Sequence, residues 1–256
     1  MISTNNLSIK IFDTEILNNI SLDISKNNII GILGKNGAGK STFIKALSGF
    51  IKNYNGNIKI KNIELDKIPL KELAKIRSFV FAQENINIEF INVYQYLSFG
   101  RSIYNNIWGI LTKKDKEIIE KVIEQIEIEN ILYKDIRVIS SGEMQRVQIA
   151  RALIQESEII FLDEPTAHLD INFQIKIMNL LKKISSNIKI ICIFHDINLA
   201  SYFCEQIILL KNGSVYLNGK TEDVLTKDNL EFVFDCKWKE EFDEKNNKKV
   251  FFPVYF

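Results

Sequence analysis

Nine consecutive residues, Gly34, Lys35, Asn36, Gly37, Ala38, Gly39, Lys40, Ser41 and Thr42, carry the clearest chemistry in the chain. They satisfy G-x-x-x-x-G-K-[ST], a pattern suited to holding a row of phosphates. Gly34, Gly37 and Gly39 allow positive φ and close backbone approach, so successive N–H groups can face phosphate oxygens. Lys40 offers an ammonium to the β- and γ-phosphates, and Ser41 offers a hydroxyl to Mg2+. The plain alternative is a glycine turn before an ordinary helix. The flanks argue against it: the apolar strand Ile29–Leu33 comes before the loop, and a short helix over 43–47 follows and stops near Gly49. The positive end of that helix dipole points at the same phosphates. All nine residues are therefore candidate nucleotide ligands.

A second constellation is the run Ile159, Ile160, Phe161, Leu162, Asp163, Glu164, Pro165. An apolar strand buried on both faces delivers its last residues to the edge of the sheet where ligands bind in open α/β folds. Neighbouring residues of a strand point in opposite directions, so Asp163 and Glu164 have different roles. Asp163 is assigned to Mg2+, through water. Glu164 is assigned to the attacking water as general base. Alone, Asp-Glu-Pro is as well explained by a polar turn; a phosphate loop in the same chain favours the chemistry.

A third feature is Ser140, Ser141, Gly142, Glu143. Its S-x-x-E spacing is that of a capping box, opening a helix through Ile154. The free N–H groups of such a helix end favour an anion. On spacing alone, a well-capped helix with no further role is the favoured reading.

These groups need a scaffold. Apolar runs at Ile29–Leu33, 79–81, 159–162 and 188–194 read as buried strands. Between them, Phe173, Ile177, Leu180, Leu181 and Ile184 share one helix face, as do Ile118, Ile119, Val122, Ile123 and Ile126. Strands alternating with helices predict an α/β fold with a mainly parallel sheet. Residues 88–145 carry helical patterns without a convincing strand and read as a helical insertion. The last stretch, 232–256, has two aromatic and β-branched segments around 245–248 and reads as a terminal β-hairpin.

Composition narrows the rest. The chain has 256 residues, 46% hydrophobic and 25% charged, ordinary for a globular protein. A net charge of +1 gives no field for nucleic acid or an anionic membrane. No apolar run reaches the ~18–20 residues of a membrane span, and the N-terminus lacks the pattern of a signal peptide. The expectation is a cytoplasmic chain whose membrane role comes through a partner. Three cysteines, Cys192, Cys204 and Cys236, lack metal spacing and read as buried thiols.

The phosphate loop, the Asp-Glu-Pro strand end and the intervening Ile139-Ser140-Ser141-Gly142-Glu143 together resemble an ABC-transporter ATPase, over nearly the whole chain. The family's signature is usually LSGGQ or LSGGE; here Ile139 replaces Leu and Ser141 replaces the first Gly, while Ser140 and Gly142 are kept. The resemblance implies a P-loop NTPase core with an antiparallel β subdomain and a helical subdomain. The core would comprise 1–87 and 146–230, the helical part 88–145, and a C-terminal extension 231–256. It implies Gln83 at the Q-loop, contacting γ-phosphate and metal, and His195 at the switch position. It implies Asp170 in the D-loop, crossing a dimer interface, with His168 on the loop surface. It implies that Ser140, Ser141, Gly142 and Glu143 face ATP held by a second copy. Family members stack an aromatic on adenine near Ile11; Phe12, adjacent, can serve. Partners implied are a second copy, integral membrane permease subunits and, indirectly, an extracytoplasmic binding protein.

The segments 99–104, 195–219 and 225–235 resemble ATPases that energise uptake of iron–siderophore complexes, haem and cobalamin. Three other readings stay open: an importer ATPase of another branch, such as zinc or manganese; a soluble ABC ATPase of translation or DNA repair; and a P-loop small-molecule kinase.

Overall fold

The computed structural model describes residues 2–24, 28–81, 90–104, 110–167 and 169–254. Along the chain run β1 (Ile2–Ile11), β2 (Thr14–Ile24), β3 (Ile29–Leu33), α1 (Lys40–Leu47), β4 (Asn55–Ile60) and β5 (Ile63–Glu64). Next come α2 (Leu70–Ile76), β6 (Arg77–Val80), α3 (Val93–Ser98), α4 (Lys113–Ile126), α5 (Ser141–Ile154), β7 (Ile159–Asp163) and α6 (Ile171–Ile184). The chain ends with β8 (Lys189–Ile193), α7 (Ile197–Phe203), β9 (Gln206–Lys211), β10 (Ser214–Lys220), α8 (Thr221–Val224), α9 (Lys227–Phe234), β11 (Trp238–Asp243) and β12 (Lys248–Pro253). Two compact units result: Met1–Pro69 with Lys189–Phe256, and Leu70–Ile188.

In the first unit, β2, β1, β4 and β5 form an antiparallel sheet in that order. Strand β1 buries Ile2, Leu7 and Ile9 and exposes Asn5, Asn6 and Lys10, the pattern of a sheet with one covered face. Strand β3 behaves differently. All five of its residues are buried, as a strand covered on both faces requires. It pairs in parallel with β8 on one side and β9 on the other, and β10 adds antiparallel to β9.

The expected terminal hairpin is present, with Trp238 opposite Pro253 and Asp243 opposite Lys248. It is fastened to α7. The Asn198 side chain donates to the Phe251 carbonyl at 3.0 Å and accepts from the Phe251 N–H at 2.8 Å. Ser201 Oγ donates to the Lys249 carbonyl at 2.8 Å. Cys192 and Cys204 are buried as expected, and burial pushes the Cys204 thiol up. Cys236 is exposed, contrary to expectation; it lies where the chain leaves α9, in the short link to β11.

In the second unit, β6 and β7 are parallel neighbours, with Val80 opposite Leu162. Among the described residues between 90 and 145 there is no strand, only a single bridge from Asn92 to Asp135. Helices α3 and α4 each open on a capping box, Asn92 with Gln95 and Thr112 with Asp115. Arg101 locks this region together. Its buried guanidinium donates to Asp115 Oδ1 at 2.7 Å, to the Ile154 carbonyl at 3.0 Å and to Glu156 Oε2 at 2.9 Å. It also lies 4.1 Å from the Tyr104 ring centre. Through Arg101 the 99–104 segment ties α4 to the end of α5. Arg101→Ala leaves the Asp115 carboxylate buried without its cation, and is expected to cost about 3–5 kcal/mol. A urea titration of the variant would read this as a lower midpoint; an unchanged midpoint would contradict the clamp.

Candidate active site

The phosphate loop leaves the end of β3 and closes on the first turn of α1. Gly37 has φ 81° and Gly39 φ 93°, so the loop turns through conformations that a side chain resists. At Gly39 a Cβ would also stand 2.7 Å from Leu17 Cδ2 and 2.9 Å from the Ile16 carbonyl oxygen. Lys40, buried, donates to the Gly34 carbonyl at 2.8 Å and to the Lys35 carbonyl at 3.0 Å. The Ala38 N–H also reaches the Lys35 carbonyl, at 3.1 Å. The ammonium is thereby held inside the ring of the loop. Ser41 and Thr42 are half-buried in the first turn of α1, while Lys35, Asn36 and Gly37 are exposed.

His195 belongs to the same edge. The parallel register pairs Ile29 with Ile190 and Ile32 with Ile193, and the Phe194 N–H donates to the Ile32 carbonyl at 3.1 Å. The paired register ends there: Gly34 follows directly on β3, and His195 lies two residues beyond the end of β8. The next residue, Asp196, caps α7 by accepting from the N–H groups of Asn198 and Leu199 at 2.7 and 3.0 Å. The exposed His195 therefore stands between the end of β8 and the start of α7.

Phe12 is 96% exposed. It occupies the tip of the β1–β2 hairpin at φ 52°, an unfavourable region for an aromatic L-residue. Ile11, its neighbour, pairs with Thr14 and is 43% exposed. Of the two, Phe12 offers the free ring face that stacking on a base needs.

The second unit carries the acidic pair. Asp163 closes β7 and is 3% exposed. Glu164 follows at φ 54° and is half-buried. A non-glycine residue in the left-handed region marks local strain, a feature that clusters at functional sites. Among the described residues no three His, Cys, Asp or Glu side chains gather to hold a metal on their own.

Helix α5 opens on the expected capping box. Ser140 N–H and Oγ donate to Glu143 Oε2 at 2.7 and 2.8 Å, and the Glu143 N–H donates back to Ser140 Oγ at 3.2 Å. Those bonds, the Ser140 backbone N–H first, hold the Glu143 carboxyl below its ordinary range. Ser141 and Gly142 form the first turn, with Ser141 exposed. Asp170 caps α6 by accepting from the Phe173 N–H at 3.0 Å, and Gln174 ties the loop before it through the Thr166 and Leu169 carbonyls. Gln83 and His168 lie outside the described residues.

One contact goes beyond the sequence expectations. Lys35 reaches Asp235, at the end of α9, across 200 residues of sequence. Nothing in the residue pattern signals a pairing between a loop lysine and a helix-terminal aspartate at that separation.

A family model for ABC transporters matches residues 17–167. The petrobactin import ATP-binding protein YclP of Bacillus subtilis (strain 168) is 35% identical over 92% of this chain and 93% of its own length. The probable siderophore transport system ATP-binding protein YusV of the same organism is 33% identical, over 91% of this chain and 85% of its own. A dimeric structure of MJ0796, a bacterial ABC transporter cassette, matches with a TM-score of 0.77 at 29% identity, covering 86% of this chain and 99% of that one.

Proposed function

The chain belongs to the ABC transporter family, and from that premise we propose how its residues bind and hydrolyse ATP and what the hydrolysis drives. It is an ATP-binding and ATP-hydrolysing subunit of an importer. The cargo class proposed is an iron–siderophore, haem or cobalamin-type chelate, on the likeness to the petrobactin and siderophore proteins. No helix among the described residues is long and apolar enough to cross a membrane. In this reading the chain works on the cytoplasmic face of the membrane, bound to permease subunits, with an extracytoplasmic binding protein delivering the cargo.

The observation that supports the ATPase reading is the phosphate loop itself, which leaves β3, turns at Gly37 and Gly39 with positive φ, and closes on Lys40 bonded to the Gly34 and Lys35 carbonyls. Residues 34–42 cradle the triphosphate through backbone N–H groups, and Lys40 neutralises its charge. Phe12 stacks on adenine. Ser41, Asp163 and Gln83 would hold Mg2+, which, when bound, neutralises charge on the phosphate oxygens. Glu164 takes the proton of the attacking water, and His195 and Gln83 orient that water and the γ-phosphate.

The second copy completes each site. Its Ser140, Ser141, Gly142 and Glu143 present the N-terminus of α5 to the phosphates, and its Asp170 crosses the interface. ATP then favours the closed dimer because its charge is best satisfied between two surfaces. Segment 88–110 of the helical part passes the motion to the permease. Ser140→Arg is expected to spare ATP binding by the monomer and block closure, read as loss of the ATP-dependent dimer on size exclusion. A variant that closes normally would remove the facing-site arrangement.

Cargo is tested by purifying the chain with its native membrane partner and measuring which ligand-loaded binding protein stimulates ATP hydrolysis. Stimulation by a zinc- or manganese-loaded binding protein instead would move the chain to another importer branch.

A further inference from the structure

The carboxylate of Asp235 bridges two lysines of the first unit. Lys35 Nζ lies 2.9 Å from Oδ2, and Lys211 Nζ lies 3.0 Å from Oδ1. Lys35 comes from the phosphate loop, Lys211 from the end of β9, and Asp235 from the C-terminus of α9. The two arms of this bridge differ. Lys211 is well covered, donates also to the Phe232 carbonyl, and sits 3.9 Å from the Phe232 ring centre. Asp235 is fixed by its left-handed backbone and by its N–H, which donates to the Glu231 carbonyl at 3.0 Å. The Asp235 carboxylate is itself exposed, and Lys211, the better covered of its two lysines, is the arm held by further contacts. Lys35 is the adaptable arm: it is half exposed, on a flexible stem, one residue into the loop.

We propose that Asp235 is a positioning residue for nucleotide binding: it holds the Lys35 ammonium as a counter-ion for which the phosphates of the nucleotide compete. The proposal rests on the reading of 34–42 as the ATP-binding loop. The physics favours exchange over permanence. An exposed lysine–aspartate pair is weak because water and salt screen it, whereas a phosphate chain offers several charged acceptors to the same ammonium. Lys211 stays on Asp235 after the exchange, so the carboxylate is never left without a cation. The C-terminal extension therefore sets how much of the loop's positive charge is available to nucleotide.

The test is titration of Mg-ATP into the full chain as wild type, Asp235→Asn, Lys35→Gln, the double variant and Lys40→Ala. Asp235→Asn should bind ATP roughly two- to fivefold more tightly, the range an exposed ion pair can shift. Its KM should fall in parallel while kcat does not rise. Lys35→Gln should bind more weakly, and the double variant should match Lys35→Gln alone. The gain in Asp235→Asn should shrink as salt is raised. If the pair is merely a structural tie between α9 and the loop, Asp235→Asn binds ATP unchanged or more weakly, and the proposal falls. It falls equally if the gain persists without Lys35, since that is a general charge effect. A wild-type chain that fails to bind ATP defeats the loop reading itself and the proposal with it. Wild-type binding lost in Lys40→Ala but unmoved by Asp235→Asn defeats this proposal alone.

Discussion

Glu164→Gln is expected to lower ATP turnover by about 10²–10⁴-fold, the range over which a positioned general base contributes, while leaving ATP binding intact. The substitution keeps the size and shape of the side chain while removing its charge and its ability to take a proton. It also keeps the left-handed backbone at φ 54°, which glutamine tolerates no better and no worse than glutamate. Thermal unfolding measured on the same variant separates a rate loss from a loss of stability. With binding preserved and hydrolysis stalled, the ATP-bound dimer should accumulate and elute as a dimer on size exclusion. Phosphate release at the wild-type rate would show that Glu164 is not the base. Asp163 could not take over that role: it is 3% exposed at the end of β7, whereas Glu164 is half-buried one residue beyond.

What is legible in the residues follows the range of the interactions. Strand β3 is readable to the residue, because an unbroken apolar run bounded by Asn28 and Gly34 has one physical solution, burial on both faces. The capping box at Ser140 and the turn of the phosphate loop are equally readable, since their hydrogen bonds close within six residues. Strand β6 reads as 79–81 in the sequence but spans Arg77–Val80. Its polar start hides it: Ser78 is buried and takes a hydrogen bond from Ser157 Oγ at 2.8 Å, a partner 79 residues away. Strands β1 and β2 do not stand out as individual strands. Their asparagines, Asn5, Asn6, Asn18 and Asn19, are poor strand formers, and the pairing along both edges of β1 holds them in the sheet. The Lys35–Asp235 pair is illegible for the same reason, because only the fold brings the two residues together.

Lys40→Ala is expected to abolish measurable ATP binding, a loss of about 10²-fold or more. Two effects add. The first is loss of charge-assisted hydrogen bonds to phosphate, each worth about 1.5–3 kcal/mol. The second is loss of the internal staple, since the same ammonium donates to the Gly34 and Lys35 carbonyls at 2.8 and 3.0 Å. Alanine removes both, so a second variant must separate them. Lys40→Arg keeps the positive charge but replaces a compact ammonium with a planar fork. In a buried ring closed on two carbonyls the fork does not fit without moving the loop, and binding should again fall steeply. Urea titration reads the staple directly: a lowered midpoint in Lys40→Ala measures what the ammonium contributes to the fold. ATP binding at wild-type affinity in Lys40→Ala would mean that the phosphates are held elsewhere, because no other residue of the loop combines burial, positive charge and contact with its backbone carbonyls.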